Sequence, residues 1–312
     1  MTAGNVPSVS VVIPTYNRLR SLPRAVESVL RQTFDDLELI VVDDCSTDAT
    51  MDYLGAIADP RLRVIRHERN RGGNAARNTG VAAARANWVA FQDSDDEWLV
   101  TKLARQMELV AKAGDTYGAN YVGKIVYGRD EAHRFGLRRA AYMPDLARNM
   151  VSGKLTQELL QHSIISTQTL MARKDLIEQV GGFDEALKIG QDWDLTLRLS
   201  RVTEIDFIDE PLVVTFVMDD SISRAKLNAA KTWISMLEKH HDLISANPRL
   251  HARNLTEIAR IYQRAGDWTS GKPYLRSALK VKPNYLRAWK ALAVEQLMST
   301  APSRKLFGRL FR

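Results

Sequence analysis

The stretch WVAFQDSDDEW, residues 88–98, decides the fold class of this 312-residue chain. Its apolar first half is typical of a buried β-strand, and the run ends in Asp93, Asp95 and Asp96. In open α/β sheets, ligands bind beyond the carboxyl ends of the strands. Carboxylates crowded there repel one another unless a cation joins them, and hard divalent ions prefer oxygen ligands. The stretch therefore predicts a Mn²⁺ or Mg²⁺ site, or an acidic turn that opens a helix.

Alternating strands and helices precede this stretch. Short apolar runs predict strands, and runs with an apolar residue at every third or fourth position predict helices. The predicted strands are 9–14, 37–42, 62–67 and 88–91, and the predicted helices are 19–33, 46–57 (capped by Ser46 or Thr47) and 74–84. This alternation is typical of an α/β fold with a mostly parallel sheet that helices cover on both faces.

Polar residues collect just after three of these strands. They are Thr15-Tyr16-Asn17, Asp43-Asp44 and Asp93-Ser94-Asp95. The carboxyl ends of parallel strands share one edge of a sheet, where ligands bind. The sequence therefore predicts a single nucleotide-type cleft at this edge.

Cysteine usage and hydropathy point to a cytoplasmic protein. Cys45 is the only cysteine, which excludes an internal disulfide and fits a reducing compartment. We expect it to be a small buried residue. No apolar run approaches transmembrane length, and the N-terminus lacks the pattern of a signal peptide.

The charge of the chain is unevenly distributed. Residues 224–312 hold 18 Lys and Arg against 5 Asp and Glu, a balance of +13, whereas the whole chain carries +7. Such a segment predicts an anionic partner, either a membrane surface or nucleic acid, or a solvated helical face. We expect no nucleic-acid partner, because the basic C-terminal segment is all that favours one.

Four blocks of the sequence resemble the family 2 inverting glycosyltransferases, which have the GT-A fold. The blocks are VSVVIPTYNR (9–18), LELIVVDDCSTDAT (37–50), RNRGGNAARNTGVAAARANWVAFQDSDDEW (69–98) and GGFDEALKIGQDWDLTLRLS (181–200). They follow one another in the order and at the spacing of the family, over about the first 220 residues. The resemblance implies a GT-A-type sheet flanked by helices.

By this resemblance, Pro14, Thr15 and Tyr16 lie where the family contacts the base and ribose of its nucleotide. Asp44 matches the base-recognising carboxylate of the family, which would accept a hydrogen bond from a ring N–H of uracil or thymine. Arg77 lies near where the family closes over the nucleotide. The resemblance therefore implies a nucleotide-sugar donor, with a UDP-sugar favoured.

The resemblance also implies the catalytic residues. Asp93 and Asp95 match the DXD pair, with Asp95 as the direct ligand of Mn²⁺ or Mg²⁺ and Asp93 nearer the ribose or a metal-bound water. Asp192 matches the general base, although Gln191 replaces the first member of the usual acidic pair. Such a base takes a proton from the acceptor hydroxyl, while the metal stabilises charge on the departing diphosphate.

Several of these residues have a structural alternative. Tyr16 is compatible with packing on a helix, Asp44 with capping the next helix, and Asp192 with complementing a helix dipole. We interpret Trp98 and Trp193 as core or wall residues, because tryptophan is usually well buried. A non-catalytic scaffold protein built on a transferase fold is the alternative function, and the intact acidic set named above argues against it.

The acceptor is constrained less than the donor. Processive synthases of the family carry a QxxRW motif, and QDWDLTLRL (191–199) lacks it. We therefore expect the transfer of a single sugar to a hydroxyl acceptor, with a lipid-linked saccharide as one candidate. By resemblance, the expected setting is cell-envelope or exopolysaccharide biosynthesis.

The C-terminal part is predicted to be all helical. Its apolar and small residues fit one tetratricopeptide-like repeat and the first helix of another, at Leu255, Ile258, Ala259, Tyr262, Gly266, Gly271, Leu275, Ala278, Pro283, Trp289, Leu292 and Ala293. Such a module either binds a protein partner or is a structural appendage. The tail 301–312 mixes basic and apolar residues and suits an anionic membrane surface on the inner face of the cytoplasmic membrane, or it is a solvated tail.

These patterns predict a catalytic domain over 1–222, with a nucleotide-sugar half at about 1–115 and an acceptor half at about 116–222. The helical module is predicted over 223–300, and the basic amphipathic tail over 301–312.

Overall fold

The computed structural model describes residues 6–129, 138–146, 151–216 and 226–300. These residues form two compact units, an α/β unit up to residue 216 and a helical unit over 226–300. The predicted boundary between residues 222 and 223 and the predicted tail 301–312 both lie outside the described residues. The predicted domain limits therefore stay predictions.

A single mixed sheet organises the α/β unit. Its strands are β1 (Val9–Thr15), β2 (Leu37–Asp43), β3 (Leu62–Arg66), β4 (Trp88–Phe91), β5 (Glu97–Trp98), β6 (Tyr117–Arg129), β7 (Arg138–Met143), β8 (Leu170–Arg173) and β9 (Glu204–Phe216). The strand order is β3-β2-β1-β4-β8-β6-β9-β5, with β7 paired to β6 beyond β8. The strands predicted up to residue 91 are confirmed.

Strand direction divides the sheet into two halves. The pairs β1–β2, β1–β4 and β2–β3 are parallel, as the sequence predicted. Beyond β4 the pairs are antiparallel, except for β6 with β9. Because β1, β2 and β4 run the same way, their carboxyl ends meet at one edge, which carries the candidate site.

Seven α-helices belong to the described part of this unit. They are α1 (Leu22–Leu30), α2 (Thr50–Gly55), α3 (Gly73–Ala83), α4 (Lys102–Ala113), α5 (Thr156–Leu159), α6 (Lys174–Gln179) and α7 (Gln191–Leu199). The prediction that Ser46 or Thr47 caps α2 is wrong. Both bind the loop after β1 instead: Ser46 Oγ accepts from Asn17 N at 2.9 Å, and Thr47 N donates to Asn17 Oδ1 at 2.8 Å. Asp48 Oδ1 accepts from Thr50 N, so the helix begins later.

Apolar packing on both faces fixes the sheet. One face is covered by α1, whose Leu22, Val26 and Val29 are buried with the odd-numbered residues of β1. Burial of each such side chain contributes about 1.5–3 kcal/mol. On the other face α3 lies close to β1, because a Cβ at Gly80 would lie only 2.3 Å from Val12 Cγ1. This close approach holds α3 at a fixed place over the sheet.

Cys45 departs from its predicted environment. It follows β2 in the left-handed region, with φ of 68°, and is only half-buried. Its Sγ lies 3.5 Å from the Glu68 carbonyl oxygen. The prediction of a small buried residue is therefore wrong, because the turn directs the side chain out of the core.

The helical unit consists of α8 (Lys226–Lys239), α9 (His241–Ser245), α10 (Pro248–Arg264), α11 (Trp268–Val281) and α12 (Leu286–Thr300) in its described part. Asn247 and Asp267 cap α10 and α11 by accepting backbone N–H bonds. Its core is made of small and apolar residues, Ala252, Leu255, Ala259, Leu275, Ala278, Ala288 and Ala291. The predicted helices are present, and the tetratricopeptide-like relationship stays a prediction. No helix in the described ranges is long and apolar enough to span a bilayer.

Candidate active site

The residues predicted after β1, β2 and β4 do meet at one edge of the sheet. Thr15 is the register partner of Asp43, and Gln92 N continues the ladder by donating to Val12 O at 3.0 Å. Tyr16 follows directly and is 44 % exposed, so it is not buried against a helix. Pro14 lies one residue inside β1 and is buried.

Asp44 fixes the loop that follows β3. Its carboxylate is 2 % exposed and accepts from Arg71 N at 2.8 Å, from Gly72 N at 2.7 Å and from His67 Nδ1 at 2.7 Å. It does not cap α2, which begins six residues later. A carboxylate has about four acceptor positions, so one remains for a ligand N–H.

Polar atoms without a hydrogen-bond partner gather at this same edge. Within the described ranges, they include Thr15 Oγ1, Asp43 Oδ1 and both amide atoms of Gln92. All three residues continue the strand faces that pack on α1, since they lie two positions after Ile13, Val41 and Ala90 of that core, and residues two apart in a strand share one face. A buried polar group without a partner costs about 1–3 kcal/mol. Water or a bound ligand would therefore supply the missing hydrogen bonds at this edge. The sequence placed Asp43 in the predicted polar cluster after β2 but did not single out Gln92.

Arginines flank the acidic segment after β4. Arg77 Nη2 lies 2.6 Å from Asp93 Oδ1, and its guanidinium is almost wholly buried. Arg18 Nη2 lies 4.0 Å from Asp95 Oδ2, and Arg24 donates to the Asp95 carbonyl oxygen while stacking 3.9 Å above the Phe216 ring. Arg18 and Arg24 were missed by sequence reasoning, although Arg18 belongs to the TYNR block that was quoted. These cations partly neutralise the segment and face the place where an anionic ligand would bind.

Asp96 anchors this segment rather than lining the cleft. It is 2 % exposed and accepts from Gln168 Nε2 at 2.7 Å, Thr215 Oγ1 at 3.1 Å and Phe216 N at 3.3 Å. Burial, and then the charges of Asp93 and Asp95, raise the pKa of Asp96 to about 8. The neighbouring carboxylates are therefore close enough to repel one another.

The residues fit a metal ion that is shared with a ligand. In the part of the chain that is described, no three His, Cys, Asp or Glu side chains converge to hold a metal by themselves. The side chains of Asp93 and Asp95 are 26 % and 30 % exposed, and Mg²⁺ is commonly bound by one or two carboxylates together with waters and phosphate oxygens. The accessible carboxylates of Asp93 and Asp95 match that pattern, and the buried carboxylate of Asp96 lies beside them.

Asp192, the general base implied by the resemblance, lies in the first turn of α7. Its Oδ1 accepts from Trp193 N at 2.8 Å, and the residue is half-buried. Burial raises the pKa of Asp192, the Trp193 N–H and the charges of Lys124 and Arg77 lower it, and the charge of Asp93 raises it further. Asp192 therefore lies within electrostatic range of Asp93, Arg77 and Lys124.

Lys124 is the candidate site residue that the sequence analysis missed most clearly. It lies on β6, and its Nζ donates to Ser166 Oγ at 2.7 Å. Its charge lowers the pKa of both Asp96 and Asp192, so it lies within electrostatic range of the acidic segment and of α7. A lysine within the apolar stretch GKIVYG was the available signal. Trp98 and Trp193 are 2 % and 4 % exposed, which confirms that they are core residues.

This fold, with an acidic strand end opposite a helix-borne carboxylate, is that of a GT-A-type transferase. The family model described as "Glycosyl transferase family 2" matches residues 10–180, and the chain belongs to that family. Among solved structures, S. aureus TarS 1-349 in complex with UDP-GlcNAc has a TM-score of 0.64 at 18% identity, covering 92% of this chain and 88% of that one. Mannosyltransferase PcManGT from Pyrobaculum calidifontis, in complex with GDP-Man and Mn2+, has a TM-score of 0.60 at 20% identity, covering 96% and 83%. These two likenesses concern the fold.

Two curated relatives are more similar in sequence. The succinoglycan biosynthesis protein ExoO of Rhizobium meliloti is 36% identical over 190 residues, which are 61% of this chain and 55% of ExoO. The putative teichuronic acid biosynthesis glycosyltransferase TuaG of Bacillus subtilis is 32% identical over 233 residues, covering 73% of this chain and 86% of TuaG. The match thus spans little more than half the length of ExoO but most of TuaG.

Proposed function

We propose that this protein is an inverting, metal-dependent glycosyltransferase that moves a single sugar from a nucleotide-diphosphate sugar to a hydroxyl acceptor. The observation that carries the proposal is the site shared by Asp93, Arg77, Lys124 and Asp192 at the carboxyl edge of the sheet. In-line displacement from a diphosphate needs two things. One is a base for the acceptor hydroxyl, and the other is a set of cations and metal-binding carboxylates for the leaving diphosphate.

Asp192 is proposed as the general base. It takes the proton of the acceptor hydroxyl while the oxygen forms its bond to the anomeric carbon, and the bond from that carbon to the diphosphate breaks. The electron pair leaves with the diphosphate, so negative charge grows on the leaving group. Arg18, Arg77 and Lys124 are the cations placed to face that charge.

Asp95 and Asp93 are proposed to hold Mn²⁺ or Mg²⁺. When bound, the ion supplies Lewis-acid stabilisation to the departing diphosphate. Two observations support this proposal. One is the pair of accessible carboxylates described above, and the other is that PcManGT, which has a similar fold, is in complex with GDP-Man and Mn2+. Arg77 would then exchange part of its contact with Asp93 for a phosphate oxygen.

The donor is proposed to be a UDP-sugar, bound by Pro14, Thr15, Tyr16 and Asp44. The exposed ring of Tyr16 offers a stacking surface, and Thr15 Oγ1 offers an unpartnered hydroxyl. The remaining acceptor position of Asp44 suits the ring N–H of uracil. The UDP-GlcNAc named for TarS agrees with this choice.

The acceptor is proposed to be a saccharide hydroxyl in cell-envelope or exopolysaccharide biosynthesis, with a lipid-linked saccharide as the favoured form. The names of ExoO and TuaG, which refer to succinoglycan and teichuronic acid, support this setting. A lipid-linked acceptor would place the enzyme in the cytoplasm at the inner face of the membrane. The helical unit would then be free to contact that membrane or a protein partner.

A transfer assay tests the proposal. The full chain is incubated with Mn²⁺, isotopically labelled UDP-sugars and undecaprenyl-diphosphate-linked saccharides, and the anomeric configuration of the new linkage is read by NMR. We expect a β-linked product from an α-linked donor, and none from the Asp192→Asn variant. An α-linked product would reject the inverting mechanism, and unchanged transfer by the variant would reject Asp192 as the base.

A further inference from the structure

The turn between α11 and α12 exposes apolar and basic side chains together. Leu286 is 71 % exposed, more than any other large apolar side chain in the described ranges, and Trp289 is 51 % exposed. Arg287 and Lys290, three positions apart on α12, are both exposed, whereas Ala288 between them is buried. With Lys280 and Lys282, which end α11 and begin the turn, these residues are called the α11–α12 surface below.

The α11–α12 surface has a strongly one-sided charge. Residues 268–294 contain six Lys and Arg and no Asp or Glu. The described residues show an ion pair for one of these six, between Lys272 and Glu295 at 3.1 Å. The four cations of the surface itself are therefore without a carboxylate partner in the described chain.

Folding does not explain this arrangement. The first turn of α12 carries the cation Arg287 and no acidic residue, which opposes the helix dipole and costs a few tenths of a kcal/mol. The core of the unit is formed by the opposite side of the helix, at Ala288 and Ala291. The Trp289 indole is nevertheless held in place, since its Nε1 donates to the Pro283 carbonyl oxygen at 2.8 Å. An oriented, exposed indole among unpaired cations indicates a binding surface.

We propose that the α11–α12 surface binds the anionic surface of a lipid bilayer. Cations next to a bilayer are attracted to its acidic headgroups, an indole prefers the headgroup level, and an exposed leucine enters the boundary of the acyl chains. A nucleic acid or an anionic polymer would use the cations but gain nothing from Leu286. A second copy of this surface would be repelled by its charge.

This inference rests on the proposed function for its biological sense, because a lipid-linked acceptor is what brings the enzyme to a membrane. It differs from a role of the tail 301–312, since it places the contact on the described helices. All variants below keep that tail, so its contribution is the same in every comparison.

Co-sedimentation of the full chain with vesicles tests the inference. Vesicles containing phosphatidylglycerol are compared with pure phosphatidylcholine vesicles. The charge variant is Arg287→Gln with Lys290→Gln, and its matched control is Lys231→Gln with Arg249→Gln, two exposed cations elsewhere in the same unit. Each cation near a bilayer contributes about five-fold to the partition coefficient, so we expect the charge variant to lose about 25-fold and the control much less.

The apolar variant, Leu286→Ser with Trp289→Ser, is expected to lose roughly ten-fold although its charge is unchanged. Equal losses in the charge variant and its control, or full binding by the apolar variant, would overturn the inference. Binding of a polyanion such as heparin that falls in the charge variant but not in the apolar variant, with no vesicle binding, would point to a polymer instead. UDP affinity is measured on the same samples, so failure of the donor site is seen separately from failure of the membrane surface.

Discussion

The two ends of β1 carry buried hydroxyls in opposite states. At the amino end, Ser10 Oγ donates to Glu38 Oε1 at 2.7 Å and accepts from Ala86 N at 3.1 Å. At the carboxyl end, Thr15 Oγ1 is equally inaccessible but has no hydrogen-bond partner. At the amino end of β1 the polar side chains are fully hydrogen-bonded, and we call this the closed end. At the carboxyl end a buried hydroxyl lacks a partner, and we call this the open end.

The closed network is held by a buried carboxylate. Glu38 is 1 % exposed and also accepts from Arg85 N at 2.7 Å, from Arg85 Nε at 2.9 Å and from Arg63 Nη1 at 2.8 Å. Burial alone would raise the pKa of Glu38, but these hydrogen bonds and the one from Ser10 outweigh it and lower the pKa. All of these hydrogen bonds join residues of the protein, so this end needs no ligand.

The comparison teaches which end is structural and which is functional. A fold that satisfies Glu38 so fully at one edge leaves Thr15 Oγ1, Asp43 Oδ1 and the side-chain amide of Gln92 without a hydrogen-bond partner at the other. Proteins keep unpaired buried polar groups at functional sites, where a bound ligand supplies the missing hydrogen bonds. The fold is less stable there as a result. The following predictions test this division between the two ends, beginning with the largest expected effect.

Replacing the proposed base should abolish chemistry at the open end. Asp192→Asn is expected to lower kcat about 10³-fold, because a neutral amide cannot accept the acceptor proton. UDP affinity should stay within about two-fold, since the amide keeps the shape of the side chain. Steady-state transfer and calorimetry on the same preparation measure both, with Asp175→Asn, a surface carboxylate paired to Arg173, as the control. A variant that turns over normally would remove Asp192 from the mechanism.

Loss of the hydroxyl at the closed end should affect folding and nothing else. Ser10→Ala removes a donor from Glu38 and an acceptor from Ala86 N, so the free energy of unfolding should fall by about 1–3 kcal/mol. Nucleotide affinity should not change. Urea unfolding monitored by circular dichroism provides the first value, and calorimetry the second. A clear loss of nucleotide affinity would mean that the two ends are not independent.

Loss of the hydroxyl at the open end should do the reverse. Thr15→Val keeps the branched shape and removes an atom that bonds to nothing in the protein, so stability should be unchanged or slightly higher. Donor affinity should fall by about five-fold, which corresponds to one neutral hydrogen bond of about 1 kcal/mol. The same two measurements apply. If Thr15→Val unfolds as readily as Ser10→Ala, the hydroxyl is structural and the comparison fails.

Removing the cation of Lys124 should move the pH dependence of the reaction. The base must be ionised to act, so activity rises with pH through the pKa of Asp192. The Lys124 charge lowers that pKa, and Lys124→Met should therefore move the acidic limb of the kcat profile to higher pH. Ser166→Ala is the matched control, because it removes the hydrogen-bond partner of Lys124 and keeps the charge. An unshifted limb in Lys124→Met, or an equal shift in Ser166→Ala, would contradict this role.

The first half of the sheet could be predicted because its signals are local. The runs that became β1, β2 and β4 are short, apolar and followed directly by polar residues, and parallel strands bring those residues to one edge. Asp93, Asp95 and Asp192 were named from the motif blocks, and in the structure the charge of Asp93 acts on Asp192.

The second half could not be predicted because its signals are interrupted. In β6, Gly118, Gly123 and Lys124 break the alternation of apolar and polar residues, and in β9 Pro211 lies opposite a register shift. The approach of Lys124 to Asp192 depends on these long-range pairings, which leave no local pattern. The hydrogen bonds of Asp44 are also long-range, because their donors, Arg71 N and Gly72 N, lie 27 and 28 residues further along the chain.

The central claim is that the open end of the sheet is a metal-dependent donor site, and titration calorimetry with UDP, dTDP and GDP tests it most directly. Each nucleotide is titrated with Mn²⁺ and with a chelator, into the wild type and into Asp95→Ala. We expect UDP to bind the wild type at least about ten-fold more tightly with Mn²⁺, a difference of about 1.4 kcal/mol, and the variant to show no such difference. Equal affinity with and without the metal in the wild type, or an undiminished metal effect in Asp95→Ala, would contradict the account.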